Sequence, residues 1–256
     1  MPVQVDRDHV SALARGLRIL ACFTPDDIVL GNGDISRRTD LPKATVARLT
    51  YTLCNLGYLI QLSQAGKYKL GPGILSLGYP LLASMYVRQV ARPHMIRLAN
   101  WSGGAVSLGL PDRHSIVYVD TYRPHLHQGL PDIGTSRRIM RCAMGRAFIG
   151  SLPKTTRTEL LNRLRLYDPG EFKQYGNRIA RAVTEFAQHG FCTAYGDLFP
   201  GVDAVAAPSP QTSRGDIYLF NCSLPATRTR ALDLETDIGP ALVRMVRTIN
   251  AEIGPS

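Results

Sequence analysis

The sequence predicts an α+β fold in two parts. A small N-terminal domain of three helices and a hairpin comes first, and a larger domain of antiparallel strands and long helices follows. Three observations lead there. Within the first 72 residues, apolar side chains recur at helical spacing in successive segments, and two short alternating runs follow around a turn. Gly71-Pro72-Gly73 then punctuates the chain. Beyond Trp101, hairpin-like strand pairs mix with amphipathic helices, the pattern of an antiparallel sheet with helices set around it. A length of 256 residues suits two ordinary domains, and 45% hydrophobic with 20% charged residues is a globular composition.

The first helix is expected over 10–23, where Leu13, Leu17 and Leu20 recur at helical spacing and Ser11 lies near the start. Gly31-Asn32-Gly33 breaks the chain, and Asp34 is placed to cap a short helix over 35–39. Asp40-Leu41-Pro42 makes a tight turn, and Pro42 suits the opening of the next helix, where its missing N–H costs nothing. That helix spans 43–56. Val46, Leu49, Leu53 and Leu56 form its apolar stripe and leave Lys43, Thr45, Arg48, Tyr51 and Thr52 for other faces. Gly57 is a good C-cap. Strands over 58–62 and 67–70, joined by Ser63-Gln64-Ala65-Gly66, complete a hairpin. Alternation sends Tyr68 and Leu70 to one face, and Lys67 and Lys69 to the other.

The net charge of +10 is unevenly spread. Residues 35–69 hold six basic side chains (Arg37, Arg38, Lys43, Arg48, Lys67, Lys69) and one acid, Asp40, the footprint a polyanion needs. A lone charge of this kind is ordinarily a solvated surface group. Three helices followed by a basic-edged hairpin, however, describe a winged helix-turn-helix, whose recognition helix enters the major groove with its N-terminal residues on base edges. Here those are Lys43, Thr45 and Arg48, with Thr52 on the same helix. Arginine can grip a guanine edge with two hydrogen bonds, and a threonine methyl can meet a thymine methyl. Arg37, Arg38, Lys67 and Lys69 suit phosphates, which position without reading sequence. Double-stranded operator DNA is the expected partner.

Residues 74–100 read as helix interrupted near Pro80 and Pro93. Their apolar richness (Ile74, Leu75, Leu77, Leu81, Leu82, Met85, Val87) exceeds what a linker needs and suggests a dimer contact, the alternative being packing within the domain. Strands are then expected over 105–110 and 115–122 around Pro111-Asp112-Arg113, and over 126–133, 191–195, 202–207 and 217–223. Helices are expected over 145–151 and 155–165, through Phe172, Tyr175, Ile179, Val183 and Phe186, and through Ile238, Leu242, Met245 and Ile249. The domains are taken as 1–72, 73–90 (linker helix) and 91–256. Where a strand-like stretch ending at Cys142 passes into a helix near Met144-Gly145, free N–H groups would attract a carboxylate, and Gly145 would let a ligand approach. Arg137, Arg138 and Arg141 add three charges; if one faces a pocket an organic acid is the natural ligand, and otherwise all three are surface or interface charges.

Several segments, in order, carry a resemblance: Leu13-Ala14-Arg15-Gly16-Leu17, Leu41-Pro42-Lys43-Ala44-Thr45-Val46-Ala47-Arg48-Leu49, Leu56-Gly57-Tyr58-Leu59, Tyr68-Lys69-Leu70-Gly71, Ala91-Arg92-Pro93-His94 and Ala143-Met144-Gly145-Arg146-Ala147. In these the chain resembles the IclR family of bacterial transcription regulators over nearly its whole length. The resemblance implies a winged helix-turn-helix, a linker helix, and a C-terminal GAF-like antiparallel sheet with helices, whose pocket binds a small molecule. Carried onto this chain, that pocket would be lined by Leu126 and Gly129, by Ala143, Met144 and Gly145, by Ala204, and by Asn221 and Ser223, with Arg141 added as an anion partner. Two departures stand out: a single acid, Asp197, where many members have an acidic cluster, and Arg137-Arg138 where many have Leu-Pro. Both suggest a pocket less hostile to anions, or one of different size. The function implied is a DNA-binding regulator, dimeric or tetrameric, whose operator binding is modulated by a small anionic metabolite.

No Gly-x-Ser-x-Gly, Gly-x-Gly-x-x-Gly, Walker loop or His-Glu-x-x-His occurs, so no enzyme and no cofactor is expected. His125 and His127 would share a strand face, a weak metal signal, and none is assigned. The five cysteines are widely scattered and form no Cys-x-x-Cys, which fits a reducing cytosol. The longest uncharged apolar stretch, 74–87, is too short for a membrane span of about 20 residues, and Met1-Pro2-Val3-Gln4-Val5-Asp6 lacks the form of a signal peptide. A cytoplasmic protein is expected. Two other readings stay open: a metabolite-binding or hydrolytic enzyme with a degenerate helix-turn-helix, and an architectural DNA binder without effector.

Overall fold

The computed structural model describes residues 10–62, 66–124, 132–213, 215–227 and 232–254. The chain divides into two compact units, Met1–Ser84 and Met85–Ser256. The first contains α1 (Ser11–Leu20), β1 (Leu30–Gly31), α2 (Asn32–Thr39), α3 (Lys43–Asn55), β2 (Leu59–Gln61), β3 (Lys67–Leu70) and α4 (Gly73–Ser84). Its core draws one or two side chains from each element up to the wing: Ile19, Leu30, Ile35, Val46, Leu53, Leu59 and Tyr68. The wing sheet has order β1-β3-β2, all antiparallel. β1 is a third strand absent from the sequence reading, since two residues leave no periodicity.

Other expectations shift. α2 begins at Asn32, and Asp34 caps it from within, accepting the Gly31 N–H at 3.0 Å. Asp40 ends it in the left-handed region, φ 55°. The α3 stripe stops at Leu53. Leu56 is exposed, because the helix closes before it, and Thr50 is buried instead, its hydroxyl donating to the Val46 carbonyl at 2.9 Å. Leu70, at the end of β3, is also exposed, as are Leu13 and Leu17 of α1. The helices expected to break at Pro80 and Pro93 run through both, each proline removing one N–H from the ladder. The break falls at Met85, whose side chain is buried along with Val87. No residue of α4 is buried.

The second unit comprises α5 (Tyr86–Ser102), β4 (Ala105–Asp112), β5 (Ser115–Tyr122), β6 (Ser136–Arg138), α6 (Ala143–Ser151), α7 (Lys154–Tyr167), α8 (Pro169–His189), β7 (Cys192–Tyr195), β8 (Val202–Pro208), β9 (Leu219–Pro225), a π-helical turn at Leu234–Ile238, and α9 (Gly239–Ile253). The strands form one antiparallel sheet of order β6-β5-β4-β9-β8-β7. Most of the third strand expected over 126–133 lies outside the described residues. Asp132 and Ile133 are not strand, and the strand pairing with β5 is β6.

Helices cover both faces. On one, Ser102 at the end of α5 meets Cys222 of β9 at 3.4 Å, and α9 packs beside α5. On the other lies α6, so close to β4 that a Cβ on Gly109 would stand 2.8 Å from the Met144 sulfur; α8 packs behind α6. Between β4 and β5 the register shifts. Leu108 pairs with Asp120 but Gly109 with Tyr118, so Val119 is an extra residue, a β-bulge. Side chains ordinarily alternate along a strand. The bulge instead sends Tyr118 to the α6 face and Asp120 to the α5 face. There Asp120 accepts from Arg92 of α5 at 2.7 Å, with Arg88 at 3.8 Å.

Candidate functional site

In the first unit, Lys43, Arg48 and Thr52 of α3 are exposed, and Thr45 is half-buried beside them. On β3, Lys67 and Lys69 point outward around the buried Tyr68, as period-two geometry requires. None of these lysines, nor Arg48, pairs with a carboxylate among the described residues. A groove of about 580 Å3 runs between α1 and α3, lined by Arg15, Thr45, Arg48, Tyr51 and Thr52. Tyr51, 69% exposed one turn beyond Arg48, is the residue sequence reasoning left out of this surface, although its place off the apolar stripe was the signal.

The remaining two arginines are engaged. Arg37 pairs with Asp34 on its own helix. Arg38 grips both oxygens of Asp27, at 2.8 and 2.9 Å, and the Cys22 carbonyl at 3.0 Å. Its hydrogen bonds hold the Asp27 carboxyl below the usual carboxylate range. Arg38 thus ties α2 to the segment after α1, where a phosphate contact had been expected.

In the second unit a small cavity of about 30 Å3 lies at the N-terminus of α6. Ala143, Ala204, Asn221 and Ser223, all expected, line it together. Tyr118, Asp197 and Phe199 complete much of the wall; Tyr118 lies far in sequence from the other two, and only Asp197 had been noticed. Burial pushes the Tyr118 phenol well above its ordinary value. The Ser223 hydroxyl donates to the Ala105 carbonyl at 3.4 Å, while the Asn221 side-chain oxygen is buried without a partner among the described residues. Asp197 is clasped by Arg146 at 2.6 Å and by Arg178. The one acid of the wall is therefore neutralised twice over.

Three expected residues lie elsewhere. Met144 is fully buried against β4. Gly145 is glycine for packing, since a Cβ there would collide with the Ile139 backbone, which corrects the reading of a ligand approach. Arg141 leans on α8, 3.3 Å from the Tyr175 hydroxyl and 3.7 Å from Glu171. Leu126, Gly129, His125 and His127 lie outside the described residues. Burial pushes the Cys222 thiol up to about 12 and Cys142 to about 11, so neither is a ready nucleophile. Among the described residues, no cluster of three or more His, Cys, Asp or Glu could hold a metal ion, and no helix is long and apolar enough to cross a membrane.

A winged helix with an open cationic face, joined in one chain to a sheet domain with an internal cavity, defines a DNA-binding regulator. The model of the IclR helix-turn-helix domain matches residues 12–63, and that of the bacterial transcriptional regulator IclR C-terminal domain matches 80–251. The chain belongs to the IclR family of DNA-binding transcription regulators; it is not an enzyme. It is 34% identical to the HTH-type transcriptional regulator TsaQ1/TsaQ2 of Comamonas testosteroni, over 95% of this chain and 88% of that one. An IclR family regulator from Brucella abortus, known as a crystal structure, is 38% identical with a TM-score of 0.84, covering 96% and 94% of the two chains. An IclR homologue of Microbacterium hydrocarbonoxydans, solved in complex with 4-hydroxybenzoate, shares the fold at 19% identity, with a TM-score of 0.73 and coverage of 96% and 100%.

Proposed function

We propose that this chain binds a pseudo-palindromic operator as a dimer or tetramer in the cytoplasm, and that a small organic acid in the second unit's cavity shifts operator affinity. The observation that carries the DNA reading is the set Lys43, Arg48, Lys67 and Lys69, exposed on α3 and β3 with no carboxylate among the described residues to occupy them. Lys43, Thr45 and Arg48 read bases from the N-terminal half of α3, Thr52 and Tyr51 extend that surface, and Lys67 and Lys69 hold phosphate. Self-association is supported by α4, whose Leu75, Leu77, Tyr79 and Leu81 are all exposed, a face costly to leave in water. The domains are 1–72 for DNA, 73–90 as linker and 91–256 for effector.

An acid is favoured because the wall's carboxylate is already paired with two arginines, and the cavity sits at a helix N-terminus. The 4-hydroxybenzoate bound by the Microbacterium homologue is of this class. The effector must bind two arrangements of the protein unequally, typically by about 1–3 kcal/mol, and DNA must change effector affinity by the same factor.

The test is fluorescence anisotropy with DNA flanking the protein's own gene beside a shuffled control, at two salt concentrations. Preference for the flanking DNA that survives the higher salt is expected. Equal binding to both that collapses with salt would reduce the proposal to a basic surface.

A further inference from the structure

We propose that Arg137 is the anion anchor of the second unit's cavity, holding the carboxylate of a short acid whose hydrogen-bond donor reaches Asn221. The proposal rests on reading that cavity as the effector site.

The three neighbouring arginines differ in what they have to bind. Arg138 donates to Glu171 at 2.6 and 3.0 Å and to Asp168 at 3.3 Å, and it lies over the Tyr167 ring. Arg141 is held against Glu171 and Tyr175. Arg137 has no carboxylate partner among the described residues, and its Nε is buried with no acceptor. Its register says where it points. On β6 it stands opposite Ile116 of β5, and directly opposed residues share a face. Ile116 lies on the α6 face, where its side chain would stand 2.8 Å from a Cβ on Gly109, as would the Met144 sulfur. The Arg137 guanidinium carbon lies 5.3 Å from the centre of the Phe199 ring, itself part of the cavity wall. Its charge is also felt by Tyr118 and Cys142, two further wall residues.

A second observation points to a ligand from the far side. Asn221 is 5% exposed, lines the cavity, and its side-chain oxygen meets no donor among the described residues. β6 and β9 are three strand spacings apart in the sheet, roughly 14 Å between backbones. Side chains reaching inward from both leave a gap that a short molecule spans. One end of the molecule must satisfy a guanidinium and the other must donate, which describes a hydroxylated carboxylic acid. Asp197 does not repel it, being shared by Arg146 and Arg178. The present volume, about 30 Å3, admits little more than one water, so the acid enters by parting Phe199 from Arg137. Arg137 then exchanges a ring contact for charge-assisted hydrogen bonds, which are stronger.

The experiment measures binding to the full chain by calorimetry and thermal shift. The probes are 4-hydroxybenzoate, benzoate and lactate, each beside its neutral amide. The variants are Arg137→Gln, Arg137→Lys, Arg138→Gln and, as a cavity block, Ser223→Leu. The expected result is that at least one hydroxy acid binds in preference to its amide. Arg137→Gln should erase that preference, about tenfold or more, while leaving the ligand-free melting temperature in place. Arg137→Lys should restore part of it, and Arg138→Gln should leave the preference intact. An acid preference that survives Arg137→Gln yet disappears with Ser223→Leu would overturn the anchor and leave the cavity reading standing. Binding that survives Ser223→Leu, or no binding of any probe, would overturn the cavity reading and the anchor with it.

Discussion

Replacing Gly145 by alanine tests whether the start of α6 is set by packing or by ligand access. A Cβ built there runs into the Ile139 carbonyl oxygen and stands 2.5 and 2.7 Å from the Ile139 carbonyl carbon and Cα. All three are backbone atoms, so no rotamer change relieves the overlap; either the first turn of α6 or the segment before it must move. That movement also disturbs the bond from the Gly145 N–H to the Cys142 sulfur, 3.4 Å long. Overpacking with backbone displacement costs about 1–3 kcal/mol or more, against about 1 kcal/mol that alanine gains over glycine inside a helix. A net loss of about 2 kcal/mol lowers the melting temperature of a unit this size by about 4–8 °C. Gly16 of α1 is the internal control, since nothing lies within 4 Å of its would-be Cβ, and Gly16→Ala should be neutral or stabilising. Scanning calorimetry of both variants decides the matter. A Gly145→Ala protein that melts at or above the parent would refute the packing argument and return Gly145 to the ligand's account.

Arg48→Ala should relax discrimination at one base pair by roughly 1–3 kcal/mol, read by anisotropy on a set of operator variants; equal loss on every sequence would make it a phosphate contact. Lys67→Ala should weaken all DNAs alike and lower the salt slope by about one, and an unchanged slope counts against the wing. Ser223→Leu should abolish the effector response and spare operator binding, the two being measured in one titration. Burial raises the Glu185 carboxyl above its ordinary value near 4.5, while its oxygen accepts from the Thr193 N–H at 2.9 Å and hydroxyl at 2.7 Å. A group raised on folding stabilises most below its unfolded pKa and loses that contribution as pH rises through the folded one. Glu185→Gln keeps an acceptor oxygen but cannot ionise, so its melting temperature should gain on the parent from about pH 4.5 upward; parallel curves would dismiss the argument.

The recognition helix, the hairpin and the hairpin pair β4–β5 could be read from sequence because each carries its own period and its own breaker: Pro42, the turn ending at Gly66, and Pro111-Asp112-Arg113. What could not be read depends on partners distant along the chain. Arg38 and Arg141 looked like free charges until Asp27 and Glu171 were placed beside them. Gly145 looked like a ligand cradle until Ile139 occupied the space. The resemblance brought Ala143, Ala204, Asn221 and Ser223 to one cavity, but Tyr118 and Phe199 join it only through sheet order and a loop. Prolines 80 and 93 misled because a helix can lose one N–H and continue, whereas Met85 breaks the helix without any local signal.

The single extra residue at Val119 gives β5 a role beyond that of a wall. In a regular strand of the same sequence Tyr118 and Asp120, two residues apart, would look the same way, and the sheet would separate the cavity from α5. With the bulge, the backbone between them is a stitch through the sheet. The aromatic ring against the cavity and the carboxylate gripping Arg92 are joined by one residue of covalent chain. A displacement of the ring thus needs no relay of packed side chains to be felt at the first turns of α5.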